Sequence, residues 1–305
     1  MIWIPTLGGY TDIDAYASAI AYADLLNQRG KPAKTYFRSQ PNYSVPSALR
    51  LDTGSATFDL MPDDEVIILD LSKPEIIHQF VPSHQILELI DHHPGYEAYW
   101  QQEIGKRALI EPIGAVATSI FEWWGECWDY AKMSSQIAKL LLAAILDNTL
   151  NFNADITTER DRAAAKQLAK IAGVNLTEFT AWYFQAVSET VLADVQGAIL
   201  GDIKTTTLPT TQEDLAFGQL TVWDATTVLA QVAELRRTMS DRYPNWVLSI
   251  ISLSMGHNYL LASSSETLEY FAKLLDLETD QEIGVSKRLF LRKEILAKML
   301  KALSL

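Results

Sequence analysis

Three short apolar runs early in the chain each lead into groups that do not belong in a core. Ile2-Trp3-Ile4 is followed closely by Asp12-Ile13-Asp14, Val66-Ile67-Ile68-Leu69 by Asp70, and Ile86-Leu87-Glu88-Leu89-Ile90 by Asp91-His92-His93. Runs of this length and β-branched content, bounded by turn signals, read as buried strands. An open parallel sheet gathers its chemistry beyond the carboxyl ends of its strands. The pattern that fixes the fold class therefore also sets acids and imidazoles along one rim. Carboxylate oxygens with imidazole nitrogens suit borderline divalent ions such as Mn, Co or Fe, and the oxygens alone suit Mg.

The intervening sequence fits that frame. Gly8-Gly9 turns into a small-residue helix over residues 14–28, closed by Gly30, and residues 35–38 form a second strand. Residues 74–81 are helical for two turns at most. Helices follow over 115–128 and 134–146, and another starts near Thr157 or Thr158, where Thr158 and Asp161 have capping-box spacing. Near residue 190 the pattern changes. Asp202-Ile203-Lys204 opens a strand-rich stretch, 209–214 is a polar loop, and strands at 220–223 and 246–253 flank a helix over 226–243. A basic helix over 286–303 closes the chain. The expected fold is α/β: a mostly parallel, doubly wound sheet over residues 1–190, then a smaller α/β domain with a mixed sheet over 191–305.

A net charge of −13 argues against a protein that coats nucleic acid or a membrane surface. No apolar run approaches the roughly 18–20 residues of a membrane span. No basic segment precedes the first strand, which makes the cytoplasm the expected location. The single cysteine, Cys127, excludes an internal disulfide and reads as a packed thiol between Trp124 and Trp128. One region reverses the charge: from Lys287 onward six bases face the single acid Glu294. That reversal suits an anionic ligand, although Lys298 and Lys301 read equally well as a solvated helix face.

Each polar cluster has two readings. Asp12 and Asp14, two apart in an extended segment, point the same way and can straddle cations, or one of them caps a helix. Asp70 is a ligand or a turn residue. In Asp91-His92-His93 one imidazole can ligate a metal while the other meets a substrate oxygen, with Asp91 orienting them; the alternative is a pair of loop histidines. Asp147 ends a helix, where an acid opposes the dipole, so a cation there would explain it. A simple loop residue is the other reading. Jointly they offer four carboxylate positions and one or two imidazoles, enough for two metals sharing a ligand. Such a pair generates hydroxide at neutral pH for in-line attack on phosphorus.

On these residues the chain resembles, over nearly its whole length, the DHH phosphoesterase superfamily. The matching branch carries a DHHA2 C-terminal domain and holds the manganese-dependent (family II) inorganic pyrophosphatases and the exopolyphosphatase/prune proteins. Asp12-Ile13-Asp14, Asp70 and Asp91-His92-His93 match the first three motifs, and residues 144–152 around Asp147-Asn148 match the fourth. Asp202-Ile203-Lys204 resembles the family's phosphate-holding D-x-K, and Arg292-Lys293 the end of its S-R-K-K-Q clamp. The resemblance implies Asp12, Asp14, Asp70, His92 and Asp147 as ligands of two divalent ions, Mn by preference with Mg or Co as substitutes, and Asp70 as the bridge. It makes His93 the substrate-facing donor or acid, Asp91 its orienting partner, and Lys204, Arg292 and Lys293 the phosphate contacts.

The implied activity is hydrolysis of phosphoanhydride bonds in polyphosphate or pyrophosphate through a metal-bridging hydroxide, nearer the exopolyphosphatase side; a homodimer is compatible with it. Three positions depart from the pattern. Gly8 stands where the pyrophosphatases have a ligating His, Asn148 rather than Asp147 falls at the usual acid position counted back from Phe152, and Phe290-Leu291 replaces the clamp's Ser-Arg. Two alternatives follow. One is a phosphodiesterase for oligonucleotides or cyclic dinucleotides, whose G-G-G-H motif is faintly echoed in Ser254-Met255-Gly256-His257. The other is a degenerate member that binds a phosphate ligand without turnover.

Overall fold

A computed structural model describes residues 1–51, 57–208, 212–280 and 282–303, so the first three residues of the expected polar loop at 209–214 lie outside it. Two compact units form: Met1–Phe152 with Ile156–Thr180, and Asn153–Asp155 with Ala181–Leu305. The first contains β1 (Ile2–Thr6), α1 (Ile13–Gln28), β2 (Ala33–Phe37), β3 (Glu65–Leu69), α2 (Pro74–Ile77), β4 (Ile86–Asp91), α3 (Glu97–Ile104), β5 (Ala108–Ile110), α4 (Val116–Cys127), α5 (Ser135–Asn148) and α6 (Glu159–Ala172). It also takes the start of α7 (Leu176–Ala193).

The five strands run in the order β2-β1-β3-β4-β5, and every pair is parallel. β1 and β3 are buried along almost their whole length, as strands covered on both faces must be, which is why they read as unbroken apolar runs. α1 buries most of its circumference, and its alternating alanines let α4 and α5 approach closely. The Leu140–Leu146 run of α5 is likewise core. With β1 between β2 and β3, the connection after β1 crosses to one side and the connection after β3 to the other. Sheets of this kind place their ligands beyond the strand ends at such a switch point.

The second unit adds α8 (Val195–Leu200), β6 (Ile203–Thr207), β7 (Asp214–Val222), α9 (Thr226–Leu229), α10 (Val232–Ser240), β8 (Trp246–Ser252), β9 (His257–Ala262), α11 (Ser265–Leu275), β10 (Glu278–Thr279), β11 (Gly284–Ser286) and α12 (Arg292–Leu303). Its sheet, β10-β11-β9-β8-β7-β6, is mixed, with β7 and β8 its parallel pair. Phe217, Val247, Leu260, Phe271, Phe290 and Ile295 belong to one core.

The expected α/β class and the mixed second sheet are what form. Three local expectations change. The helix over 226–243 divides into α9 and α10. The last helix begins at Arg292, because Gly284–Ser286 pair with β9 as a strand. Cys127 is exposed in the last turn of α4, one turn beyond the buried Trp124, and is not a packed thiol. No described helix is long and apolar enough to cross a membrane.

Candidate metal centre

β4 delivers Asp91, which is 1% exposed, to the rim of the first sheet. One of its oxygens, Oδ1, accepts the backbone N–H of His92 at 2.7 Å, that of His93 at 3.2 Å, and His93 Nδ1 at 2.8 Å. Burial alone would raise the Asp91 pKa. The His93 charge outweighs it, together with hydrogen bonds from His93 and the His92 N–H, and holds the carboxyl below the usual range. His93 is thereby fixed with Nδ1 towards Asp91, while 31% of its side chain is exposed.

His92 is almost fully buried and is held differently. Its Nδ1 lies 3.1 Å from the carbonyl oxygen of Ile113. A carbonyl can only accept, so Nδ1 carries the proton, and Nε2 is the ring nitrogen left to ligate an ion. That Nε2 lies 3.4 Å from Asp70 Oδ1. Asp70 follows β3 with φ +56°, a left-handed conformation that costs a non-glycine residue about 1–3 kcal/mol. Its N–H donates to Ile90 O at 2.9 Å, which ties the turn to β4.

Asp70, Asp91, His92 and His93 each offer a ligand atom within 4.8 Å of the others. Two buried carboxylates beside an imidazole whose Nε2 lies towards one of them make a donor set of hard oxygens and borderline nitrogen. That set fits Mn and its neighbours.

Three other expected ligands, Asp12, Asp14 and Asp147, stand outside that group of four. Asp12 caps α1, accepting from Ala15 N at 3.1 Å. Asp14 is fully buried and caps a second helix: it accepts the N–H groups of Val116 and Ala117 at the start of α4, both at 2.9 Å. Both residues of the pair are thus caps. Asp147 and Asn148 are half-buried in the last turn of α5. Leu150, Asn151 and Phe152 then take three successive left-handed conformations, φ +48°, +52° and +66°.

In the second unit the expected phosphate contacts divide. Lys204 on β6 and Lys293 on α12 are half-buried. Arg292 is 7% exposed, and its guanidinium donates to the Asp202 carbonyl and to Asp202 Oδ1, each at 2.7 Å, and to Phe217 O at 3.3 Å. The aspartate of Asp202-Ile203-Lys204 is therefore the partner of Arg292. Two exposed bases lie just after β11: Lys287, 3.3 Å from Glu278, and Arg288, paired with Asp155.

Residues 111–114 carry no expectation from the sequence, and 115–118 are expected only as the start of a helix. Ile113 supplies the carbonyl for His92, Glu111 N donates to Asp91 O at 3.1 Å, and Val116 and Ala117 bind Asp14. The available signal was a run of small residues, Gly114-Ala115-Val116-Ala117-Thr118-Ser119, directly after the β5 strand.

Known proteins resemble this chain in sequence and in fold. The model of the DHH family, N-terminal domain, matches residues 4–145. The manganese-dependent inorganic pyrophosphatase of Bacillus subtilis is 32% identical over 237 residues, covering 75% of this chain and 74% of its own. The probable manganese-dependent inorganic pyrophosphatase of Staphylococcus carnosus is 28% identical over 306 residues, 96% of each chain. Among solved structures, a Methanococcus jannaschii protein assigned to the family II inorganic pyrophosphatases superposes with TM-score 0.74 at 20% identity over 100% of both chains. An exopolyphosphatase-related protein of Bacteroides fragilis gives 0.53 at 12% identity, over 99% of this chain and 91% of its own.

Proposed function

Since the chain belongs to the family of manganese-dependent inorganic pyrophosphatases built on a DHH domain, we propose that it hydrolyses the phosphoanhydride bond of inorganic pyrophosphate. Short polyphosphates are the next substrates in line. The observation that carries the reading is the group Asp70, Asp91, His92 and His93, with Nε2 of His92 turned to a strained Asp70.

Asp70 and His92 are the first ligands in this scheme, joined by Asp12, Asp14 and Asp147. Capping and ligation are compatible in Asp14, because a carboxylate has about four lone-pair positions and α4 takes two of them. Divalent ions held there supply water activation and charge neutralisation at phosphorus. The chain's own residues do the rest. Asp91 turns the Nδ1 of His93 inward, which leaves Nε2 as the nitrogen that can meet a phosphate oxygen or the leaving group. Neutralisation of the distal phosphate falls to Lys204, Lys293 and the exposed Lys287 and Arg288. Arg292 serves instead to hold Asp202 in place.

The test is phosphate release from pyrophosphate, tripolyphosphate, long-chain polyphosphate and a linear dinucleotide, each with Mn, Co and Mg. Pyrophosphate with Mn should give the highest rate. A dominant dinucleotide signal would overturn the substrate class. No release from any substrate, with fewer than one ion bound per chain, would leave only a binding protein.

A further inference from the structure

Asp161 lies on α6, far in sequence from the cluster, and is fully buried. It completes a capping box with Thr158: Oδ2 accepts both the N–H and the hydroxyl of Thr158 at 2.7 Å. Helix capping explains those two bonds and nothing more. Two further donors come from another element. Thr118 Oγ1 donates to Oδ1 at 2.6 Å, and the Gly114 N–H donates to Oδ2 at 3.1 Å.

The Gly114 N–H and the Ile113 carbonyl belong to one peptide group, which is planar and rigid. His92 Nδ1 sits on the carbonyl side at 3.1 Å and the Asp161 carboxylate on the N–H side at 3.1 Å. A buried anion on the N–H polarises the peptide and makes its oxygen a stronger acceptor. Histidines that ligate metals commonly donate their other N–H to a carboxylate directly. Here a peptide stands between the two. Gly114 permits the close approach: a Cβ there would lie 2.7 Å from Asp161 Oδ2 and 2.6 Å from Thr149 Cγ2.

We propose that Asp161 is a positioning residue for the metal-facing imidazole. Through the Ile113–Gly114 peptide it holds His92 in the tautomer that presents Nε2 to Asp70 and strengthens that nitrogen as a donor. The proposal rests on the metal-dependent reading above and adds to it a residue with no contact to metal or substrate.

The experiment compares wild type, Asp161→Asn and Thr158→Ala by Mn titration followed by electron paramagnetic resonance, and by ¹⁵N NMR of the His92 ring in the metal-free chain. Asp161→Asn should weaken Mn binding about ten- to a hundredfold, the usual range for such outer partners, and raise the share of the Nε2–H tautomer. Thr158→Ala removes the cap but keeps the carboxylate, so it should lower the melting temperature and leave Mn affinity within about twofold. A folded Asp161→Asn chain with unchanged affinity and tautomer overturns the proposal. So does a Thr158→Ala chain that loses as much affinity. Should Asp161→Asn not fold, the wild type still decides: metal-free His92 must show a protonated Nδ1, and Mg must shift the Gly114 amide resonance. Failure of either overturns the proposal. A wild-type chain that binds no Mn counts instead against the phosphohydrolase reading, and the tautomer measurement still judges this one.

Discussion

Three hydrogen bonds converge on a single oxygen of Asp91, so its removal disturbs both histidines at once. Asparagine keeps an acceptor for the two backbone N–H groups but removes the anionic partner of the His93 ring. Asp91→Asn should therefore reduce kcat about ten- to a hundredfold while the fold persists; steady-state kinetics with circular dichroism check it. The same residue gives a pH signature. Its carboxyl pKa is held below the unfolded value of about 3.9, so its contribution to stability is present above that pH and is lost as pH falls through the folded value. Melting temperatures of wild type and Asp91→Asn between pH 7 and pH 3 should converge in acid. Curves that stay parallel would mean that Asp91 is not the charged group assigned here.

At the scale of elements, α4 begins without a cap of its own: Ala115 at its N-cap makes no side-chain hydrogen bond. Asp14 supplies the missing acceptor from α1. Asp14→Ala should therefore lower stability by about 1–3 kcal/mol in urea unfolding, the range for an N-cap or for a buried donor left unpaired, even with metal absent. A change under about 0.5 kcal/mol would show that α4 finds another acceptor. Sequence spacing could place Asp14 on a rim; it could not show that its partner is a helix start 102 residues away. The central strands and α1 were legible because burial on all sides leaves unbroken apolar or small-residue runs. α3 and β5 were not, since α3 buries only Trp100 and Ile104 and β5 is a half-buried edge of three residues. Arg292 was expected as a phosphate contact for a similar reason: net charge and clustering are visible in sequence, whereas its buried pairing with Asp202 depends on β6, β7 and α12 meeting.

Across the whole molecule, every residue assigned to the metals belongs to the first unit, while Lys204, Lys287, Arg288 and Lys293 belong to the second. Each unit has its own sheet and core. An ion that binds only the folded first unit stabilises that unit by mass action, by about 2.7 kcal/mol when free metal is a hundred times its Kd. For a unit of this size 1 kcal/mol corresponds to roughly 2–4 °C. Saturating Mn should thus raise the unfolding of the first unit by about 5–11 °C. Hydrogen exchange resolves where that protection falls. Amides of Ile68 and Leu89 in the first sheet should slow by up to about a hundredfold, and those of Leu248 and Ile250 in the second should change little. Adding a non-hydrolysable pyrophosphate analogue supplies the ligand for the bases of the second unit, and only then should Leu248 and Ile250 gain protection. Equal slowing of both sheets by Mn alone would place metal ligands in the second unit and refute the division of labour proposed here.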